Sequence, residues 1–372
     1  MDPSERARYA ERALRAYAAM QRAFRRPSGL YRRDGRPGRL GVAAHLWPAA
    51  RAFVATLDLA GIDPELRTGL DAGRRTGFDG ERAIAGELAA LARYWDPTPA
   101  PAYASDLHRT PLGGDRYYDD NAWVGLALIQ LERMRPGSGW LERAQELWRF
   151  ALTGWDPLQG GVFWVEQGHG IGRRNHDRNT VSTAPNAALA LHLAELGRVL
   201  VPAAPVGPDE LYRWVLANLG DGAGLFHDKL RGDGTLDRTI WSYNQGNMVG
   251  ASVLMARAPG EPSAEHLARA ETIARATLGR YAAGGFDGQP PAFDAICFRN
   301  LLQLHAVSGE DRLRVAIEAA VRAYADAAWE RWRDGEDRFT LGPDGTSLLT
   351  QSALVQILAL LAWDPAAYGT LA

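Results

Sequence analysis

The stretch Ser347-Leu348-Leu349-Thr350-Gln351-Ser352-Ala353-Leu354-Val355-Gln356-Ile357-Leu358-Ala359-Leu360-Leu361-Ala362-Trp363 contains no charged residue. Its apolar side chains fall on every side of a helix, and a helix apolar all round must be enclosed by protein. A second stretch, Trp241 to Ala256, is equally free of charge. The segments beside them differ. Glu310 to Arg333 carries charge on every turn, and the first segment is dense in Glu5, Arg6, Arg8, Glu11, Arg12, Arg15, Arg22 and Arg25. Such segments have one apolar stripe and belong on a surface.

Working outward, apolar residues recur at 3.6-residue spacing between stretches rich in Gly, Pro and Asp. The pattern predicts twelve helices, at about 4–25, 44–59, 79–94, 119–133, 139–152, 183–200, 208–219, 241–257, 262–281, 293–307, 310–333 and 347–363. Odd segments read as outer and even ones as inner. Six inner helices ringed by six outer ones describe an all-α (α/α)6 toroid, expected as a single domain over residues 1–372. An α-solenoid of helical hairpins also alternates, but its repeats share a signature at fixed period, and none is found. Val201-Pro202-Ala203-Ala204-Pro205 reads as a stiff connector. The connections Pro97 to Tyr118 and Gly154 to Thr180, which lead into inner helices, are long and mix polar with aromatic residues. Long loops on one face of a rigid scaffold are where sites lie.

Composition narrows the partner. The 372 residues are 46% hydrophobic and 23% charged, with a formal net charge of −2. The basic residues are spread along the chain, which argues against nucleic acid and anionic lipid and for a neutral ligand. Lys229 is the only lysine, and the arginine excess has the look of a coding bias. Cys297 is the only cysteine, so neither an intrachain disulfide nor a cysteine-built zinc site is expected. The start Met1-Asp2-Pro3-Ser4-Glu5-Arg6-Ala7-Arg8 has no apolar leader core, and no membrane span is read, so the expected location is cytoplasmic.

The sharpest local feature is Tyr117-Tyr118-Asp119-Asp120-Asn121-Ala122-Trp123, which opens the fourth, inner helix. One Asp there reads as an N-cap. Two adjacent carboxylates on an enclosed helix exceed what a cap requires, and the second charge needs solvation or a use. Like charges at close range do not ionise together, so one group keeps its proton while the other is a carboxylate. That supplies an acid and a nucleophile. Retaining glycosidases place these groups about 5–5.5 Å apart, a gap that neighbouring residues can meet, whereas inverting ones need more room.

With this block stand Gly160-Gly161-Val162-Phe163-Trp164, followed by Asn179-Thr180-Val181-Ser182-Thr183-Ala184-Pro185, then Tyr243-Asn244-Gln245-Gly246, and more weakly Phe298-Arg299-Asn300-Leu301. In these blocks and in helix order over most of its length, the chain resembles glycoside hydrolase family 76, the endo-α-1,6-mannanases. The resemblance implies a retaining hydrolase of α-1,6-mannosides, with Asp119 as nucleophile, Asp120 as general acid/base, an oligosaccharide or polysaccharide as substrate and no cofactor. That family's wall-polysaccharide substrates lie outside the cytoplasm, so the absence of a leader points to shorter α-mannosides or another imported glycan.

Aromatic faces, amides and hydroxyls hold sugars, which makes Trp47, Trp164, Tyr243, Asn244 and Gln245 candidate wall residues, with Asn186 and Ser182 at a comparable helix opening. Trp47 and Trp123 read equally well as core. Gly246 would permit close approach of a backbone or ligand. The loop His169 to Asp177 fits neither zinc nor phosphate spacing and reads as an exposed loop near the cleft. Asp294 and Arg299 are expected to pair with each other or with a backbone carbonyl. Two other functions share these features. A sugar epimerase or isomerase of the acylglucosamine epimerase type would need a central histidine, and His45, His192 and His305 do not read as opening inner helices beside acids. A noncatalytic glycan-binding protein would keep the aromatic wall.

Overall fold

The computed structural model describes residues 2–33, 42–70, 77–107, 114–172, 174–198, 204–341 and 345–372. Part of the expected connector, residues 201–203, lies outside them, as do the last two residues of the segment expected to end at 200.

Among the described residues are twelve helices of twelve residues or more: α1 (Pro3–Phe24), α2 (Leu46–Ala60), α3 (Gly80–Leu91), α4 (Tyr118–Met134), α5 (Leu141–Thr153), α6 (Thr180–Glu195), α7 (Pro208–Leu219), α8 (Ser242–Arg257), α9 (Ser263–Tyr281), α10 (Pro291–His305), α11 (Asp311–Ala327) and α12 (Leu348–Ala362). Each even helix packs on the next even one, and α12 packs on α2, so the inner ring closes. Closure is what separates a toroid from an open solenoid. The outer helices α3, α5, α7, α9 and α11 each lie against the inner helix of the preceding number, and α1 lies mainly on α12.

Burial follows the charge pattern. Every residue of α12 is buried, as is α8 from Ser242 to Met255. In α1 the buried positions form the stripe Tyr9, Ala13, Leu14, Ala16, Met20 and Phe24. Each fully buried Leu or Ile of α12 contributes about 1.5–3 kcal/mol through removal of apolar surface from water. Two outer helices start on side-chain caps: Asp2 accepts from the N–H groups of Ser4 and Glu5 at α1, and Asp79 from that of Arg82 at α3. α8 approaches α10 closely at Gly246, where a Cβ would lie 2.4 Å from the Cys297 Cα. The freedom expected of that glycine therefore serves helix packing.

Among the described residues strands are confined to short pieces. β1 (Trp95–Asp96) pairs with β2 (Ala102–Tyr103), and β3 (Arg178–Asn179), β4 (Lys229–Leu230) and β5 (Leu236–Asp237) form an antiparallel sheet in that order. The second sheet is more than a hairpin, because it joins the α5–α6 connection to the α7–α8 connection. Arg116, fully buried, ties two long connections together by donating to both Glu166 carboxylate oxygens at 2.6 Å and to the Thr98 and Ala100 carbonyls. Gly160 and Gly161, both at positive φ, let the hairpin before Trp164 turn beneath the Trp214 ring. Among the described residues no helix is long and apolar enough to cross a membrane.

Arg299 and Asp294 do not pair with each other. Arg299 donates to Asp58 of α2 and to the Ala372 carbonyl, while Asp294 accepts from the Ser242 hydroxyl at 2.7 Å. They lie five residues apart on α10, and a helix turns them to different faces.

Candidate active site

A cleft of about 660 Å³ opens where the inner helices begin. All six contribute to its wall: His45 and Trp47 at the start of α2, Asp119 and Asp120 of α4, Asn179 and Val181 of α6, Tyr243 of α8, Phe293 of α10, and Ser347 and Leu349 of α12. The cleft therefore faces six helix N-termini, whose partial positive charge favours anionic groups placed there.

Neither Asp119 nor Asp120 is the N-cap. Tyr117 occupies that position and makes no side-chain cap bond, and the two acids lie in the first turn. Asp119 accepts from the Trp164 indole N–H through Oδ2 at 3.2 Å, while its buried Oδ1 has no hydrogen-bond partner. Burial raises the Asp119 pKa. The Trp164 N–H and nearby backbone N–H groups oppose the rise, and the Asp228 charge adds to it. Asp120 has no hydrogen bond to its carboxyl among the described residues, and burial followed by the Asp119 charge lifts it well above the usual carboxylate range. Donors thus favour the ionised form of Asp119 and nothing comparable favours that of Asp120, which leaves the proton on Asp120.

Of the other candidates, Trp164, Tyr243 and Trp47 reach the cleft. Trp164 is an orienting group as much as a wall, since its ring sits 4.9 Å from Tyr117 and its N–H is committed to Asp119. Tyr243 stacks on Phe293 with centroids 3.9 Å apart. The buried indole nitrogen of Trp47 has no partner and remains a free donor beside the cleft. Trp123 is 5% exposed and touches the cleft from the core side.

The amides and Ser182 are placed differently. Asn244 is fully buried behind the wall and donates to Asp228 Oδ1 at 3.3 Å. Gln245 is spent on the Phe226 backbone and the Trp241 carbonyl, and Asn186 on the carbonyls of Tyr118 and Ser182. The Ser182 hydroxyl donates to the Val162 carbonyl. None of these four lines the cleft.

The reading of His45 needs correction. It immediately precedes α2, lines the cleft and holds Asp106 at 2.8 Å, so one histidine does open an inner helix beside acids. Asp106 comes from a distant connection, which is why the pairing was invisible along the chain. Asp228 was also missed. It lines the cleft from the connection before α8, and burial raises its pKa against the opposing effects of Asn244 and Lys229. The loop from 169 borders the cleft through Ile171, and its Gly172 N–H donates to Asp115 Oδ1 at 2.8 Å; Arg173 lies outside the described residues. Among the described residues no three acids, histidines or cysteines are grouped to hold a metal ion.

The fold is that of several solved structures. A family 76 glycoside hydrolase from a bovine Bacteroides thetaiotaomicron strain superposes with a TM-score of 0.79 at 18% identity, over 95% of this chain and 77% of that one. An α-1,6-mannanase of a Salegentibacter species has a TM-score of 0.71 at 21% identity, over 95% and 99%; it was solved with α-1,6-mannotriose as an inactive variant in which two adjacent aspartates are replaced by asparagine. A D-mannose isomerase follows at 0.64 and 12%, over 96% and 98%. No curated protein matches the sequence. The profile described as Glycosyl hydrolase family 76 matches residues 34–344, most of the chain, including Asp119, Asp120 and most of the residues that line the cleft. The chain is a glycoside hydrolase that belongs to glycosyl hydrolase family 76.

Proposed function

We propose that the enzyme hydrolyses α-1,6-linked mannosides with retention, using Asp119 as nucleophile and Asp120 as acid/base. The observation that carries this is the asymmetry within the pair: Asp119 has one oxygen held by Trp164 and the other free, whereas Asp120 has no donor to stabilise its charge among the described residues. The replacement of two adjacent aspartates in the inactive mannanase bound to mannotriose supports the same pair and the same linkage.

In the first step Asp119 Oδ1 bonds to the anomeric carbon as its bond to the glycosidic oxygen breaks and the Asp120 proton passes to that oxygen. The leaving sugar departs as an alcohol, and a glycosyl ester remains on Asp119. Asp120, now a carboxylate, takes a proton from water whose oxygen attacks the same carbon and releases Asp119. Two inversions give net retention.

The test is α-1,6-mannotetraose with the wild type, Asp119→Asn and Asp120→Asn. Wild type should give shorter products, and Asp119→Asn should lose about three orders of magnitude or more on every substrate. Asp120→Asn should be hurt most with poor leaving groups and regain turnover with azide. Equal losses with no rescue would remove the division of roles, and full activity in both variants would remove the pair. His45 beside Asp106 is the one observation that favours isomerisation, which would appear as a keto sugar of unchanged length. Binding without turnover would mark a glycan receptor.

A further inference from the structure

Of the chain's 42 basic residues every one but Lys229 is an arginine, and that lysine lines the catalytic cleft. It sits on β4 directly opposite Asn179 of β3, so both side chains leave the same face of the sheet, and both face the cleft. Its ammonium lies 2.9 Å from Asp177 Oδ2 and 6.0 Å from the centre of the Trp164 ring. Asp177 is fixed from behind, because its other oxygen accepts from the Gly232 N–H. Asn179 is 5% exposed, and its buried side-chain oxygen faces the Ser182 N–H in the capping box that opens α6 without making a hydrogen bond of full geometry. An unpaired buried acceptor beside a cleft costs free energy until a ligand donor satisfies it.

The two cations differ in what they leave available. An ammonium has three donors at one point, so one bond to Asp177 leaves two for a ligand. A guanidinium meets a carboxylate through a planar fork and would commit two donors to Asp177. It would also lie over the indole that holds Asp119. The setting therefore distinguishes lysine from the arginine used everywhere else.

We propose that Lys229 and Asn179 form a hydroxyl-reading subsite for the sugar adjoining the one attacked at Asp119. The ammonium donates to one ring hydroxyl, and the Asn179 carbonyl oxygen accepts from a neighbouring one. Trp164 separates this subsite from Asp119, with its N–H on the nucleophile and its ring beside the ammonium. The ligand class is a neutral pyranoside with vicinal hydroxyls, and the assignment rests on the hydrolase reading above.

The experiment measures kcat and KM on α-1,6-mannotetraose for wild type, Lys229→Ala and Lys229→Arg, together with calorimetric binding of α-1,6-mannotriose to Asp119→Asn protein with and without Lys229→Arg. Both Lys229 variants should raise KM about tenfold, the size of a lost charged hydrogen bond, with a smaller change in kcat. Mannotriose affinity should fall by a similar factor. An arginine variant with wild-type KM would show that any cation suffices and overturn the proposal. So would a loss confined to kcat with a displaced pH profile, since Lys229 would then act through Trp164 on Asp119. If wild type cleaves the tetraose and the variants match it, only this subsite falls. If wild type neither cleaves nor binds these sugars, the hydrolase reading falls and the subsite with it.

Discussion

Buried charge is handled differently at the two ends of the inner ring. At the end away from the cleft, the fully buried Asp58 meets Arg299, and nearer the surface Glu195 meets Arg133 at 2.6 Å and Arg257 at 3.7 Å. At the cleft, Asp119 and Asp120 have no cationic partner among the described residues, and burial with mutual repulsion is answered by a proton kept on Asp120. Paired ions secure the scaffold there, while unpaired acids supply a proton and a nucleophile here. Buried carboxyls on one scaffold thus do opposite work according to whether a cation stands beside them.

The sharpest way to break that contrast is to unpair the far end. Arg299→Ala leaves Asp58 buried without its guanidinium and should cost about 3–5 kcal/mol in denaturant unfolding. An unchanged midpoint would mean that the far-end pair is no more structural than the cleft acids. A smaller effect should come from Trp164→Phe, which removes the donor to Asp119. The nucleophile's pKa should rise further, and because Asp119 must be ionised to attack, the acidic limb of the rate profile should move to higher pH. kcat should fall about tenfold. A profile that stays in place would separate Trp164 from the chemistry.

Smallest is a stability effect at Asp294, which is fully buried with no cationic partner among the described residues and whose pKa burial pushes well above the carboxylate range. The folded protein therefore retains a proton that the unfolded chain releases above about pH 4, so stability falls as pH rises from there. Asp294→Asn should flatten this fall in melting temperature while leaving the acid side little changed. A steeper fall in the variant would reverse the sign of the argument.

Much of this was legible from charge alone. The uncharged runs of α8 and α12 against the charged runs of α1 and α11 set inner against outer, and two acids opening an enclosed helix marked the cleft. What could not be read is direction around a helix start. Tyr243, Asn244 and Gln245 follow one another by about 100° each, so when Tyr243 faces the cleft its two neighbours turn toward packed loops. All three look alike as wall residues until the packing is known. Asp106 and Asp228 come from irregular connections and Lys229 from a two-residue strand too short to show a period, and their meeting with α2, α4 and α6 depends on tertiary contacts alone.

Ring closure also bears on how the molecule forms. The α2–α12 contact joins residues near 50 to residues near 355, among the longest sequence separations the chain can offer. Pairings this distant are slow to find, and during synthesis α2 must wait for nearly the whole chain to leave the ribosome. Until then one apolar flank of α2 has no partner, and the cleft lacks the wall supplied by Ser347 and Leu349. Nascent chains that stop short of α12 should therefore expose an adhesive surface and have no catalytic cleft, so solubility and activity should arrive together with the last inner helix.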